Sequence, residues 1–303
     1  MGKFKLSNGV EVPNLCFGTG ITGVHCEGIK KSIILVKLFL KMKLNRDFND
    51  SKNNYYLPKI IKLCMDNGCN HFDTSRAYGA SEYMLGSVLK SYPRNSYFVT
   101  TKLCNQDQLK DNVRGGLETS LKELGMEYVD LYLMHWPVTG KFIDSWKEME
   151  KLYKEGKCKA IGVCNFNIHH FEELKKHAEI MPMVNEIECH PLFTQNEIRE
   201  YCKENDIQVM AYTSTARMDR RFSNTCLKDI ANKYMKNEAQ VILKWHQQIG
   251  NIPIVNSSNK DHMLANIQIN DFILSDEDII KINNMNINSR LRYDPDNCDF
   301  TKL

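Results

Sequence analysis

Short apolar segments alternate with amphipathic stretches along most of this 303-residue chain. The apolar segments are typical of buried β-strands. They predict strands at 14–19, 70–73, 97–102, 129–134, 159–163, 183–187, 208–212 and 252–255. Helical patterns lie between them at about 80–90, 107–124, 142–155, 168–179, 194–205, 226–236 and 260–267. Eight strands with intervening helices predict a closed parallel (β/α)8 barrel, the TIM-barrel fold.

Two segments depart from this alternation. At the start, two short strands flank Asn8-Gly9, a dipeptide typical of tight turns, which predicts a β-hairpin ahead of the barrel. Between the first two barrel strands the gap is roughly twice what a single crossover helix needs. The surplus, at about 24–55, contains the lysine-rich apolar stretch 30–44. It favours an extra helix on the barrel exterior, while an interfacial helix or a lid over the site stays open as an alternative.

Length and charge fit one domain. We expect a single barrel domain over 1–303, with this helical insertion after the first strand and a C-terminal tail at 286–303. The apolar runs are shorter than the ~20 residues that cross a bilayer, which predicts no transmembrane segment. A net charge of +3 without a basic arm gives no reason to expect nucleic acid. Eleven scattered cysteines and a start without a signal-peptide pattern predict reduced thiols in the cytoplasm.

Ionisable side chains stand where several predicted strands end. Asp73 and Lys102 close the second and third barrel strands, and His135 follows the fourth. Tyr78 lies on the loop after Asp73. Because a (β/α)8 barrel builds its active site from the carboxyl ends of its strands, these side chains are predicted to meet.

This set of side chains suits proton donation to a carbonyl group. A free tyrosine has a pKa of about 10, and a nearby lysine ammonium lowers that value. In this interpretation Asp73 holds Lys102, Tyr78 donates the proton, and His135 steers the carbonyl oxygen. The hydride has to come from a nicotinamide cofactor.

Motifs along nearly the whole chain outside the insertion resemble those of aldo-keto reductases. They are Asn8–Pro13, Phe17-Gly-Thr19, Phe72-Asp-Thr74 with Tyr78-Gly79, Thr100-Thr-Lys102, Asp130–Pro137, Ala160–Phe166, Val184–Pro191, Ala211-Tyr212 and Arg292–Pro295. The resemblance places the family's catalytic tetrad on Asp73, Tyr78, Lys102 and His135. It implies reduction of an aldehyde or ketone to an alcohol, by a monomer or weak oligomer that needs no metal.

The resemblance also implies a set of cofactor contacts. Tyr212 would stack on the nicotinamide ring, and Asn165 would hold its carboxamide. Cys164 stands where the family usually has serine, so a good hydrogen-bond donor is replaced by a weak one. Glu186 stands where glutamine is usual, and an ionised carboxylate there can accept a hydrogen bond but cannot donate one. The full set is Gly18, Thr19, Gly20, Asp73, Cys164, Asn165, Glu186, Tyr212, Thr213, Arg217, Ser257, Asn259 and Asn266. Gly20 also replaces a frequent aromatic residue, which predicts a wider substrate pocket.

The positions that would hold the cofactor's 2′-phosphate depart from the family pattern. The family generally grips it with a lysine and an arginine, and Asn256 and Asn259 stand there instead. Arg217, Arg220 and Arg221 offer replacement cations, or else form a solvated charged loop. NADP(H) is the first choice of cofactor, with NAD(H) as the alternative.

Three features of the sequence suggest other interpretations. Gly18–Gly23 matches GxGxxG, but it lacks the acidic residue about 20 positions later that a dinucleotide-binding fold requires. His169, His170 and His177 fit a solvated helix face better than a metal site. The altered cofactor positions leave a non-catalytic or regulatory cofactor-binding barrel open, although the complete tetrad argues for an enzyme.

Overall fold

The strands of the computed structural model close into a barrel. The structure describes residues 2–20, 57–223 and 225–302. Strands β3 to β10 are parallel and follow chain order around the barrel, with β10 paired to β3. Their bounds are β3 Cys16–Gly18, β4 His71–Asp73, β5 Phe98–Leu103, β6 Val129–Met134, β7 Cys158–Cys164, β8 Val184–Glu188, β9 Gln208–Tyr212 and β10 Ile252–Val255. The predicted TIM barrel is confirmed, and each strand lies within two residues of its predicted bounds.

The predicted N-terminal hairpin is also confirmed. Strands β1 (Lys3–Lys5) and β2 (Glu11–Pro13) pair antiparallel. Gly9 lies in the turn with φ +90°, a conformation that side chains other than glycine rarely adopt. The Asn8 side chain donates to the backbone oxygen of Lys159 at the amino end of β7. This contact ties the hairpin to the end of the barrel opposite the strand carboxyl ends.

Helices surround the barrel. They are α1 Leu57–Asp66, α2 Ser81–Leu89, α3 Asn105–Leu109, α4 Val113–Leu124, α5 Phe142–Lys154, α6 Ile168–Lys175, α7 Asn196–Glu204, α8 Cys226–Tyr234, α9 Glu238–Gln248, α10 Lys260–Ile267 and α11 Asp276–Asn283. The continuous helix expected over 107–124 is in fact two, because Asp111 adopts a left-handed φ of +52° between α3 and α4. Helices α1, α9 and α11 were not among the predicted helices.

The predicted insertion at about 24–55 lies outside the described residues. Helix α1 lies in the connection from β3 to β4, after the insertion in the sequence. Within the described ranges, no helix is both long and apolar enough to cross a membrane. Ten of the eleven cysteines are described, and each is a free thiol.

Candidate active site

The four predicted catalytic residues meet at the carboxyl ends of adjacent strands. Asp73 ends β4, Lys102 is the second-last residue of β5, His135 follows β6, and Tyr78 lies on the loop before α2. Asp73, Tyr78 and His135 border a cavity of about 500 Å³. Its lining among the described residues is Gly18, Gly20, Asp73, Tyr78, His135, Trp136, Asn165, Glu186, Tyr212, Thr213, Ser214, Thr215, Arg217, Ile254, Val255, Asn256, Asn266 and Arg292.

Lys102 and Asp73 form a buried ion pair beneath the cavity. The lysine side chain is 0% exposed, and its Nζ donates to both carboxylate oxygens of Asp73 at 2.5 Å. It also donates to the backbone oxygen of Thr74 at 3.2 Å. Burial alone would lower the pKa of Lys102, but the carboxylates of Asp73 and Glu186 raise it well above its usual value. Lys102 therefore carries a permanent positive charge.

Glu186, at the third position of β8, is a second carboxyl group beside Lys102. Its Oε1 lies 3.5 Å from Lys102 Nζ, and its Oε2 has no hydrogen-bond partner among the described residues. Burial raises the pKa of Glu186 to about 8, aided by the negative charge of Asp73 and opposed by Lys102. The assumption of an ionised carboxylate at this position was therefore wrong, because one lysine already neutralises Asp73. At neutral pH Glu186 is largely a neutral acid that can donate as well as accept.

Tyr78 packs between charged and aromatic neighbours. Lys102 Nζ lies 5.2 Å from the centre of its ring, and the His135 ring meets it edge-on at 5.7 Å. Burial raises the pKa of Tyr78 above its ordinary value, and Lys102 opposes that rise. Lys102 lowers the pKa of Tyr78, as predicted, but burial raises it by more. Tyr78 therefore keeps its proton at physiological pH.

A chain of hydrogen bonds crosses the cavity wall from β9 to β6. The Tyr212 hydroxyl donates to Asn165 Oδ1 at 2.6 Å, and Asn165 Nδ2 donates to the backbone oxygen of His135 at 3.0 Å. Asn165 adopts a left-handed φ of +61°, which turns its side chain into this network just after β7. The network fixes the backbone at His135 relative to Asn165 and Tyr212, which are predicted to hold the nicotinamide.

Comparison with known proteins identifies the family. The Aldo/keto reductase family model matches residues 42–287. The chain is 38% identical to the glyoxal reductase of Bacillus subtilis over 98% of this chain and 97% of that protein. The chain belongs to the Aldo/keto reductase family.

Solved structures of family members share the fold. The aldo-keto reductase MGS-M4, from a Medee basin deep-sea metagenome library, superposes with a TM-score of 0.82 at 32% identity, covering 98% of this chain and 99% of the other. The Bombyx mori aldo-keto reductase AKR2E4, solved in complex with NADP, gives a TM-score of 0.81 at 28% identity, covering 97% and 96%. The predicted family and enzyme class are confirmed: the chain is an oxidoreductase that acts on carbonyl groups.

The predicted cofactor residues of this aldo-keto reductase fall into two groups. Nine line the cavity: Gly18, Gly20, Asp73, Asn165, Glu186, Tyr212, Thr213, Arg217 and Asn266. Four do not: Thr19, Cys164, Ser257 and Asn259. Thr19 and Cys164 are buried behind the wall, and the Thr19 hydroxyl donates to the backbone oxygen of Asp73 at 2.9 Å. These two residues shape the wall without bordering the cavity.

The segment before α10 holds the two asparagines that replace the family's usual cations. Asn259 caps α10, its Oδ1 accepting from the backbone nitrogen of His262 at 3.0 Å. Ser257 Oγ accepts from the backbone nitrogen of Asn259 at 3.1 Å. Asn256 is exposed and lines the cavity. The Asn259 side chain is thus engaged in capping, and of the two replacing asparagines only Asn256 borders the cavity.

The arginine loop after β9 contributes one cation to the cavity. Arg217 lines it, whereas Arg221 is paired with Asp219 at 2.9 Å and donates to Ser289. Ala216, Arg217 and Met218 all have φ near +50°, although none is glycine. Each such residue costs about 1–2 kcal/mol, so this backbone is strained where it borders the cavity.

Cavity-lining residues that the sequence interpretation did not assign include Trp136 and Arg292. Both belong to motifs that resemble the family, which was the available signal, but neither had a proposed contact. Arg292 belongs to the tail, and Glu188 at the end of β8 holds the tail there. The Glu188 carboxylate accepts from the backbone nitrogens of Leu291 at 2.6 Å and Arg292 at 3.0 Å.

Two histidines of α6 form a group with a carboxylate of the C-terminal tail: ligand atoms of His169, His170 and Asp296 all lie within 4.8 Å of one another. His169 and His170 reach Asp296 Oδ1 through Nε2, at 3.2 and 3.6 Å. His170 Nδ1 accepts from the backbone nitrogen of Asn167, so in the neutral ring the proton lies on Nε2 and points at Asp296. His177 instead lies 3.3 Å from Glu173. The first two histidines contact the tail, which the solvated-face interpretation did not anticipate.

Proposed function

We propose that this protein reduces small polar aldehydes and ketones with NADPH, with Tyr78 as the proton donor. The observation that carries the proposal is the meeting of Tyr78, Lys102, Asp73 and His135 at one cavity. A phenol, a buried ammonium held by a carboxylate and an imidazole have complementary roles in reducing a carbonyl group.

The residues around the cavity fit a nicotinamide cofactor. Tyr212 offers an aromatic face, and Asn165 retains one hydrogen on Nδ2 and one lone pair on Oδ1 beyond its protein contacts. The unpartnered Oε2 of Glu186 lies at the same wall. Asn256, Asn266 and Arg217 border the cavity as further polar contacts. The related structure that contains NADP supports NADP(H) as the cofactor.

Each residue of the tetrad has a distinct part in this proposal. Bound NADPH supplies the hydride that reduces the carbonyl carbon. Tyr78 donates its hydroxyl proton to the carbonyl oxygen, and the Lys102 ammonium stabilises the phenolate that is left. Asp73 holds Lys102 in place through both carboxylate oxygens.

His135 orients the substrate oxygen. Its Nδ1 lies 3.5 Å from Ser75 Oγ, which already accepts from the backbone nitrogen of Ala77 at 3.1 Å. We assign the serine hydrogen to Nδ1, which places the ring proton on Nε2. That N–H is the donor we assign to the carbonyl oxygen.

Small vicinal dicarbonyls are the substrates we favour. The related Bacillus subtilis protein is a glyoxal reductase, and the cavity here combines polar groups with Trp136 and Tyr212. A side chain at Gly20 would begin 3.5 Å from the Tyr78 ring, so its absence leaves space beside the proton donor. A short, polar carbonyl compound suits such a site.

A paired titration tests the cofactor part of this proposal. Tryptophan fluorescence is followed while NADPH and NADH are added separately, and NADPH-dependent turnover of glyoxal is then measured at 340 nm. We expect both cofactors to bind and NADPH to bind more tightly, because Arg217 replaces one of the usual cations. Arg217→Gln should reduce that preference, whereas Arg220→Gln serves as a control. Failure of both cofactors to bind at millimolar concentration would refute the proposal.

Glu188→Gln should weaken substrate binding without slowing chemistry. The amide nitrogen cannot accept from the backbone of the tail, so one of its two anchors, each worth about 1.5–3 kcal/mol, is lost. We expect a several-fold rise in KM for the carbonyl substrate with kcat nearly unchanged. Asp296→Asn, at an exposed tail contact, should have little effect. Equal KM values for the wild type and Glu188→Gln would show that the tail does not bound the substrate site.

A further inference from the structure

Glu186 is a cavity-wall carboxyl group that the proton transfer proposed above does not use. It lines the cavity together with Tyr78, Asn165 and Tyr212. Since the hydride has to reach a carbon whose oxygen contacts Tyr78, the nicotinamide ring must lie in this part of the cavity. Glu186 therefore lies beside the ring that becomes positively charged when hydride leaves it.

The charge balance around Glu186 explains why its side chain is neutral. Lys102 Nζ contacts both oxygens of Asp73 at 2.5 Å but lies 3.5 Å from the nearer oxygen of Glu186. One ammonium balances one carboxylate, and Asp73 holds it more closely. A second buried negative charge would have no partner, and such a charge is costly. A proton on Glu186 removes that cost.

The other titratable groups facing Glu186 do not change charge near neutral pH. They are Cys16, Asp73, Tyr78, Lys102, Cys164 and Tyr212. Burial raises the pKa of Cys16, Cys164, Tyr78 and Tyr212, so these four stay neutral. Burial raises the pKa of Asp73 as well, but both of its oxygens contact Lys102 Nζ at 2.5 Å, and this contact keeps Asp73 and Lys102 as an ion pair. Glu186, whose pKa is raised to about 8 and whose nearer oxygen lies 3.5 Å from the ammonium, is thus the member of this group that titrates near neutral pH.

We propose that Glu186 senses the redox state of the cofactor: it keeps its proton beside reduced nicotinamide and releases it to solvent when oxidised nicotinamide binds. The inference rests on the NADP(H)-dependent function proposed above. The ring of NADP⁺ would supply the positive charge that a second carboxylate at this wall lacks. The ring of NADPH is neutral and supplies none, so the proton stays.

The sign of the resulting pH dependence follows from proton linkage. NADP⁺ binding expels a proton, so its affinity rises with pH while Glu186 in the free protein is still protonated. NADPH binding expels none. The ratio of dissociation constants, Kd(NADP⁺) over Kd(NADPH), should therefore fall by up to about tenfold per pH unit as pH rises towards 8, where Glu186 titrates in the free protein.

The test measures both dissociation constants by tryptophan fluorescence from pH 5.5 to 9.5. The two cofactors carry the same 2′-phosphate, so its titration cancels in the ratio. The variant is Glu186→Gln, which keeps the side-chain shape and places at this position the amide that is usual in the family. Glu197→Gln, an exposed acid-to-amide change on α7, is the matched control.

We expect the ratio to fall with pH in the wild type and in Glu197→Gln, and to be flat in Glu186→Gln. Proton release, followed with an indicator dye in weak buffer at pH 7, gives a second readout. NADP⁺ should release up to one proton per wild-type site and none from Glu186→Gln.

The two levels of the proposal fail in different ways. If neither cofactor binds the wild type, the proposed function itself is wrong. If both bind but the wild-type ratio is independent of pH, or the slope persists in Glu186→Gln, the redox-sensing role is overturned while the reductase function stands.

Discussion

Tyr78→Phe should lower kcat by about 10²- to 10⁴-fold, the usual contribution of a positioned general acid. The phenylalanine ring retains the packing against His135 and Lys102, so the fold and the cavity persist. What is lost is the hydroxyl proton that we assign to the carbonyl oxygen. The measurement is steady-state oxidation of NADPH with glyoxal, alongside the cofactor dissociation constant.

Cofactor affinity should stay within a few-fold of the wild type in this variant. As a control, Tyr92→Phe removes a hydroxyl that contacts Asp66 outside the cavity. It should leave kcat and the cofactor dissociation constant unchanged. A Tyr78→Phe protein that turns over within a few-fold of the wild type would assign the proton to another group.

Lys102→Met should be the most destabilising change in the site. It leaves Asp73 and Glu186 buried together without a positive charge, and breaking a buried pair costs about 3–5 kcal/mol. Chemical denaturation at pH 8 measures this loss of unfolding free energy. Turnover should fall as well, because the phenolate of Tyr78 loses its stabilising cation.

The destabilisation should depend on pH in a defined direction. Without Lys102, both carboxyl groups have folded-state pKa values above their unfolded values of about 4, so the folded protein binds more protons than the unfolded chain. The stability of the variant is therefore best retained at low pH and is lost as pH rises. Lys154→Met, which removes an exposed pair with Glu179, is expected to change little at any pH. A loss of unfolding free energy that does not depend on pH would mean that lost packing, rather than unpaired charge, destabilises the variant.

The strands were predictable because each is a short apolar run with a clear boundary. Helix α9 was harder to predict: Gln240 to His246 are all buried, so the helix shows no polar face that would give it a helical period. Helix α1 follows directly on the insertion and was not predicted as a separate helix. The split between α3 and α4 depends on one left-handed residue, Asp111, which a helical pattern does not reveal.

The candidate site was likewise predictable in part. Residue types at strand ends were sufficient to bring Asp73, Tyr78, Lys102 and His135 together. The protonation states of the ionisable groups in the site were not predictable, because they depend on distances between side chains that a sequence does not contain. Glu186 is neutral since it lies 3.5 Å from an ammonium that Asp73 already holds at 2.5 Å. The role of Glu188 in holding the tail required knowing that residues about 100 positions apart are neighbours.

The pairing of β10 with β3 has a consequence for how the chain is made. Ile254 and Val255 lie beside Cys16 and Phe17, so the last barrel strand closes on the first. During synthesis the nascent chain cannot complete this ring until nearly its whole length has left the ribosome. Until then the edges of β3 and of the most recently emerged strand are unpaired, and such edges promote aggregation. Slowing translation before β10 has left the ribosome should therefore lower the soluble yield, whereas a pause after β10 has left the ribosome should not.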